Sequence, residues 1–274
     1  MNTPTASVTR ATPLPQACAI SMKNVQKAFT DEYDETVEVI RNITLDVREK
    51  EFLSIVGPSG CGKSTMFNII AGLLDPTSGS IDIMGRAQTG AGQVGYMLQR
   101  DLLLPWRSIL ENVCLGLEVR GVSKAQRHQR ARRYLTQYGL GEFADAYPST
   151  LSGGMRQRAA LIRTLLTDPD IILLDEPFSA LDYQTRLVLE EEILTILNDF
   201  GKTVVLITHD IGEAIAMSDR IAVMSQRPTQ VKKVYECGLA KQYGSAMKAR
   251  RDARYTTLFD EIWEDLDISV ETMA

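Results

Sequence analysis

Gly57-Pro58-Ser59-Gly60-Cys61-Gly62-Lys63-Ser64-Thr65 fits the pattern GxxxxGK[ST], a loop built to cradle phosphate. Its glycines let the backbone curl so that several N–H groups converge on phosphate oxygens, helped by the positive end of the helix that follows. Lys63 is then placed for the β and γ phosphates of a nucleoside triphosphate. Ser64 offers a hydroxyl to Mg²⁺, and Thr65 donates to the neighbouring phosphate. A chance match in a chain of this length has a probability of roughly one in a hundred. The apolar strand before the loop and the helical period after it lower that further.

Ile171-Ile172-Leu173-Leu174-Asp175-Glu176 is an apolar run ending in two carboxylates. Alone it is a weak signal. Beside the phosphate loop it gains meaning, because a parallel sheet collects its ligands at the carboxyl ends of its strands. Asp175 is then directed at the Mg²⁺ that Ser64 also meets, and Glu176, one residue on, can orient or deprotonate the attacking water. A carboxylate is a feeble base at neutral pH, so placement must supply much of its effect. Of the two histidines, His209 follows the strand Val204–Thr208 and faces the same crevice, where it can bond the γ-phosphate or the water. His128 sits among Gln126, Arg127, Gln129 and Arg130, and a solvated helix face accounts for it. Gln99 closes the strand Val94–Met97 and can offer its amide oxygen to Mg²⁺ or to water.

The elements that must hold these groups follow from the patterning. Ala19–Val25, Val39–Val47, Glu51–Val56, Ser80–Met84, Val94–Met97, Ile171–Leu174, Thr203–Ile207 and Ile221–Met224 are expected as strands. Met66, Phe67, Ile70 and Leu73 predict a helix from Lys63 to near Asp75-Pro76. Ser108–Val119, Lys124–Tyr138, Ser152–Leu166, Asp182–Asp199 and Gly212–Met217 are expected as further helices. Leu258, Ile262 and Leu266, spaced by four, predict a last amphipathic helix with an acidic polar face. That face has the wrong sign for anionic lipid.

Bulk properties narrow the partners. A net charge of −5, from 30 basic and 35 acidic residues, lacks the basic surplus of a phosphate-backbone binder, so no nucleic-acid partner is expected. No run approaches eighteen apolar residues, so any membrane action would run through a partner or from the surface. The first residues have no secretory leader pattern. Thr, Ser, Pro and Ala dominate up to Pro15, and residues 1–18 are expected as a flexible tail. Cys18, Cys61, Cys114 and Cys237 have no metal-like spacing and fit thiols of a reducing compartment.

Leu151-Ser152-Gly153-Gly154-Met155, continued by Arg156-Gln157-Arg158, resembles the signature of ATP-binding cassette (ABC) proteins. The phosphate loop, Gln99, the run 171–176, Ser179-Ala180-Leu181-Asp182 and His209 stand in that family's order, over about residues 19–226. The resemblance implies an α/β fold: a P-loop NTPase (RecA-like) core with an antiparallel β subdomain and an inserted helical subdomain at about 100–165. A helical extension at 227–274 would follow the ATP-binding domain at 19–226. It implies ATP and Mg²⁺ as ligands, Phe29 stacked on adenine, and a head-to-tail homodimer. In that dimer Ser152, Gly153 and Gly154 complete the other subunit's site, and Asp182 communicates across the interface. Glycine N–H groups at a helix start suit that second anion site.

Gln99-Arg100-Asp101-Leu102-Leu103-Leu104-Pro105-Trp106 and Ser225-Gln226-Arg227-Pro228 look like bacterial importer ATPases for nitrate, sulfonates or taurine. That resemblance implies two transmembrane permease subunits, an extracytoplasmic solute-binding protein, and a peripheral place on the cytoplasmic face of the inner membrane. A cassette acting in DNA repair or translation is the alternative class. It is disfavoured because no long coiled coil or second cassette is present. An exporter ATPase fits the Leu-Pro-Trp segment less well. A kinase or GTPase leaves the signature unexplained.

Overall fold

A computed structural model describes residues 17–30, 32–87 and 92–266. The first half of the chain runs β1 (Cys18–Thr30), β2 (Thr36–Arg48), β3 (Phe52–Val56), α1 (Lys63–Ile70), β4 (Ser78–Ile83), β5 (Arg86–Ala87), β6 (Gly95–Met97), α2 (Ile109–Val113), α3 (Leu115–Val119) and α4 (Lys124–Gln137). The second half runs α5 (Gly153–Leu165), β7 (Ile171–Asp175), α6 (Tyr183–Phe200), β8 (Thr203–Thr208), α7 (Ile211–Met217), β9 (Arg220–Met224), β10 (Val231–Glu236), α8 (Leu239–Tyr243), α9 (Ala246–Ala249) and α10 (Ala253–Asp265).

Two sheets result. One is antiparallel, in the order β2-β1-β4-β5. The other has the order β10-β9-β3-β8-β7-β6, parallel from β9 to β6 with β10 antiparallel at its edge. The parallel strands lie under helices, so β3, β7 and β8 are buried at every residue and read as mainly apolar runs, with Ser54 the one polar residue inside them and Asp175, Thr203 and Thr208 at their ends. Each buried Ile, Leu or Val there contributes about 1.5–3 kcal/mol through burial. Phe67 and Ile70 of α1 pack with Ile20, Ile40 and Ile43 of the antiparallel sheet, joining the two sheets through one core. This is the P-loop NTPase architecture with an added antiparallel β subdomain.

Helices α2–α5 share a separate core of Leu103, Ile109, Val113, Leu135, Leu151 and Ile162. Its entry is fixed by a capping box between Ser108 and Glu111. Asn112, fully buried, accepts from Leu104 N at 2.6 Å and donates to the carbonyls of Leu104, Arg107 and Ser108. The Leu-Pro-Trp segment is therefore pinned through its backbone, while Trp106 is left 71% exposed.

Several expectations differ from the structure. α1 stops at Ile70 because the N–H groups of Leu73 and Leu74 both return to the Asn68 carbonyl, and Leu73 is exposed. The expected helix Ser108–Val119 is two short helices meeting at Cys114. Region 227–274 is not wholly helical: Val231–Glu236 forms β10 against β9. Most of the expected tail lies outside the described residues, and Cys18 already opens β1.

Candidate nucleotide-binding site

Register brings the chemistry together. Val56 of β3 pairs with Thr208 of β8, Asp175 of β7 with Ile207, and Met97 of β6 with Leu174. The residues that follow these strand ends (the loop from Gly57, Glu176, His209 and Gln99) thus emerge side by side along one edge of the sheet.

The loop's shape is fixed from beneath. Gly62 has φ 126°, a conformation that L side chains rarely adopt, and a Cβ there would stand 2.9 Å from Val39 Cγ1. Behind the loop, Thr229 donates its hydroxyl to the Cys61 carbonyl, and Arg227 Nη2 donates to the Gly60 carbonyl at 2.8 Å. Cys61 is buried, Pro58 and Thr65 are half-buried, and Ser59, Gly60 and Ser64 face solvent. Lys63 is buried, with Nζ donating to the carbonyls of Gly57 at 2.8 Å and Pro58 at 2.9 Å. A buried ammonium held only by neutral carbonyls suits an incoming polyphosphate.

Asp175 lies beside the start of α1. Ser64 Oγ donates to its Oδ1 at 3.4 Å and Tyr96 OH to its Oδ2 at 3.3 Å. Burial pushes the Asp175 carboxyl above its ordinary range, against the opposing pull of the Ser64 and Tyr96 hydrogen bonds. A buried carboxylate beside a hydroxyl is a hard-oxygen pair of the kind Mg²⁺ takes. The residues present therefore fit both ATP phosphates and Mg²⁺. Tyr96 is itself fixed edge-on against Phe67, with ring centroids 5.8 Å apart.

Glu176 occupies the left-handed region at φ 45°, with its N–H bonded to the Ile207 carbonyl at 2.9 Å. Such a backbone costs about 1–3 kcal/mol and concentrates at functional sites. Its Oε2 accepts from Gln99 Nε2 at 3.3 Å and lies 3.3 Å from His209 Nδ1. Gln99 also donates to Ser179 Oγ at 3.2 Å. Gln99, Glu176, Ser179 and His209 form one cluster that can align a water against a terminal phosphate. His128 is half-buried on α4, outside this cluster.

Phe29 ends β1 opposite Val37, 43% exposed, with the Lys27 ammonium 5.1 Å from its ring centroid. Val37 is two residues from Val39, whose side chain lies beside Gly62 of the phosphate loop. Ser152 caps α5 by accepting from Met155 N at 3.3 Å, and Gly153 and Gly154 begin that helix beside Leu181 and Thr185. Among the described residues, no hydrogen bond joins 152–154 to 57–65. Asp182 caps α6 through Thr185 N at 3.0 Å, and hydrogen bonding from the Thr185 side chain, then from its backbone, holds the Asp182 carboxyl below the ordinary range.

Three contacts were not foreseen from the sequence. One is the Tyr96 hydroxyl on Asp175. A second is the buttress from Arg227 and Thr229. The third is a clamp from α5 on the segment after β6, where Arg156 Nε meets Asp101 at 3.1 Å and Gln157 Nε2 donates to the Gln99 carbonyl at 3.3 Å. Arg163 completes it, donating to the carbonyls of Asp101 and Leu102. Of the run Arg156-Gln157-Arg158, the first two residues serve this clamp, while Arg158 turns to the Tyr138 carbonyl and to Glu192.

Comparison with known proteins agrees with this geometry. The sequence profile of the family described as "ABC transporter" matches residues 40–179. An uncharacterized ABC transporter ATP-binding protein of Bacillus subtilis is 45% identical over 236 residues, covering 85% of this chain and 90% of that one. A taurine import ATP-binding protein of Rhizobium johnstonii is 41% identical, covering 85% and 91%. A dimeric ATP-binding cassette solved in a post-hydrolysis state with ADP and Pi superposes with a TM-score of 0.69 at 34% identity, covering 80% of this chain and 98% of that one. The chain belongs to the ABC transporter family, as an ATP-binding subunit that hydrolyses ATP with Mg²⁺.

Proposed function

We propose that this ATP-hydrolysing subunit drives import of a small solute of the taurine, sulfonate or nitrate class through a separate permease. The observation that carries the ATPase assignment is the convergence of Lys63, Ser64, Asp175, Glu176, Gln99 and His209 on adjacent strand ends. Import is supported by 41% identity to a taurine import ATP-binding protein. The pinned segment Gln99–Trp106 supports it too, because it leaves the site and runs into the helical region.

In this reading the N–H groups of Gly57, Ser59, Gly60, Cys61 and Gly62 surround the phosphates, while Pro58, which has no N–H, shapes the loop. Lys63 leaves its carbonyls for the β and γ phosphates, and Thr65 donates nearby. Ser64, Asp175 and Gln99 would hold Mg²⁺, which would supply charge neutralisation at the phosphates. Glu176 orients or deprotonates the attacking water, and His209 holds the γ-phosphate end of that arrangement. Phe29 stacks on adenine.

Ser152, Gly153 and Gly154 start α5 beside Leu181 and Thr185, with no hydrogen bond to 57–65 among the described residues, and in this reading they complete the site of a second copy. Dimeric solved relatives support that arrangement. No helix among the described residues is long and apolar enough to cross a membrane. Two permease subunits would supply the spanning part, and a solute-binding protein outside would deliver the solute. This subunit would then lie on the cytoplasmic face of a bacterial inner membrane.

The test is a pull-down of tagged chain from gently solubilised native membranes, read by mass spectrometry. Recovery of a multi-span permease with a solute-binding protein is expected. Recovery of ribosomal or repair proteins without a membrane partner would overturn the transport assignment and leave the ATPase standing.

A further inference from the structure

His209 meets Glu176 on one side, and on the other its loop is reached by the last helices of the chain. The next residue, Asp210, caps α7: its Oδ1 accepts from Glu213 N at 3.0 Å. Asp210 Oδ2 accepts from Arg186 Nη1 of α6 at 3.0 Å, and Arg186 also donates to the Leu181 carbonyl at 3.3 Å. One turn further along α6, Glu190 is buried at 1% side-chain exposure and bonded to Arg250 Nη2 at 2.5 Å. Arg250 follows α9, and its Nη1 donates to Tyr255 OH of α10 at 2.9 Å.

These groups press on the switch loop itself. A Cβ on Gly212, three residues after His209, would stand 2.5 Å from Tyr255 OH, 3.0 Å from Arg250 Nη1 and 3.1 Å from Asp210 Oδ1. Only a residue without a side chain lets the hydroxyl and the guanidinium approach the first turn of α7 this closely. Apolar packing keeps them there: Leu258, Phe259, Ile262 and Leu266 share a core with Ile211, Ile215 and Val56, the last residue before the phosphate loop.

We infer that Arg250 and Tyr255 are positioning residues that set the placement of His209 through Gly212 and Asp210. The inference rests on the proposed role of His209 in turnover. Arg186 faces two carboxylates, Asp210 and Glu190, and Arg250 answers the second. The Oε1 of Glu190 is buried without a hydrogen-bond partner, so Arg250 supplies the bond that Glu190 makes. Removing Arg250 leaves a buried carboxylate that draws Arg186 away from Asp210, since an unpaired buried charge is strongly unfavourable. The cap of α7 then loosens, and His209 with it.

The chain has two histidines, which makes the test selective. In the full chain, R250A, R250K and Y255F would be compared with the parent by the imidazole carbon–proton NMR signals of His209 and His128. Binding of a non-hydrolysable ATP analogue and steady-state ATPase kinetics would be measured alongside. R250A is expected to move the His209 signal and leave that of His128 in place. Turnover should fall about tenfold (~1.4 kcal/mol) with analogue affinity held within about twofold. R250K, which keeps the charge but not the planar fork, should recover part of both effects. An unmoved His209 signal in folded R250K and Y255F, with parental turnover, overturns the proposal. H209A serves as the separate control: full turnover there would strike down the role of His209, while the NMR result would still report whether Arg250 positions it.

Discussion

Tyr96 donates its hydroxyl to Asp175 Oδ2 at 3.3 Å, while Ser64 donates to the other oxygen of the same carboxylate at 3.4 Å. The carboxylate is thereby held on two sides, and the phenol is immobilised by Phe67. Burial raises the Tyr96 hydroxyl well above its ordinary range, so it remains a donor at every pH the protein meets. Under the proposed Mg²⁺ role of Asp175, Y96F should leave the fold intact and weaken Mg²⁺. A charge-assisted hydrogen bond of this kind contributes about 1.5 kcal/mol, roughly tenfold in affinity. Mg²⁺ titration of ATP-analogue binding measures it, and an unchanged midpoint would remove Tyr96 from the site.

Tyr96 also shows why part of the site was hidden in the sequence. Asp175 and Glu176 announced themselves as carboxylates at the end of an unbroken apolar run. The phosphate loop did so through its own contiguous pattern. Tyr96 sits on a three-residue strand, and its target depends on pairing opposite Leu173, seventy-odd positions away in the chain. β10 escaped for a local reason. A register shift between Val231 and Lys233 breaks the two-residue alternation that marks a half-buried strand. Arg250, Tyr255 and Gly212 carry no motif at all, because what joins them is long-range packing.

Glu213 gives a pH prediction. Burial, reinforced by Glu190 and Asp210, lifts its carboxyl from an ordinary 4.5 to about 8, despite the hydroxyl donated by Thr208. The folded chain thus keeps a proton that the unfolded chain has released, so stability falls as pH rises from about 4.5 to about 8. E213Q removes that penalty while preserving a hydrogen-bonding partner for Thr208. Denaturant melts should show E213Q more stable than the parent by on the order of 2–4 kcal/mol at pH 8, with the gap closing near pH 4.5. A gap of equal size at both pH values would mean that charge burial is not its cause.

Glu176 is placed between Gln99 and His209, at 3.3 Å from each. E176Q preserves size and shape and removes the base, so ATP binding should survive while turnover falls by ~100-fold or more. If hydrolysis separates the two copies, the variant should also accumulate as an ATP-bound dimer. Phosphate release and size-exclusion chromatography with ATP report the two effects. Parental turnover in E176Q would sink the catalytic role proposed for this carboxylate.

Gly62 separates two sources of strain. Its φ of 126° is unfavourable for any side chain, and a Cβ would also stand 2.9 Å from Val39 Cγ1 and 3.2 Å from Thr229 Oγ1. Val39 is β-branched and buried on β2, so it cannot rotate away. G62A is therefore expected to lose about 1–3 kcal/mol of stability and at least tenfold in ATP-analogue affinity. V39A removes the nearer obstacle but leaves the backbone strain. The double variant should accordingly regain part of the stability lost in G62A, a positive coupling of about 0.5–2 kcal/mol in a double-mutant cycle. Strict additivity would assign the whole penalty to the backbone. It would also mean that the antiparallel sheet does not press on the phosphate loop through Val39.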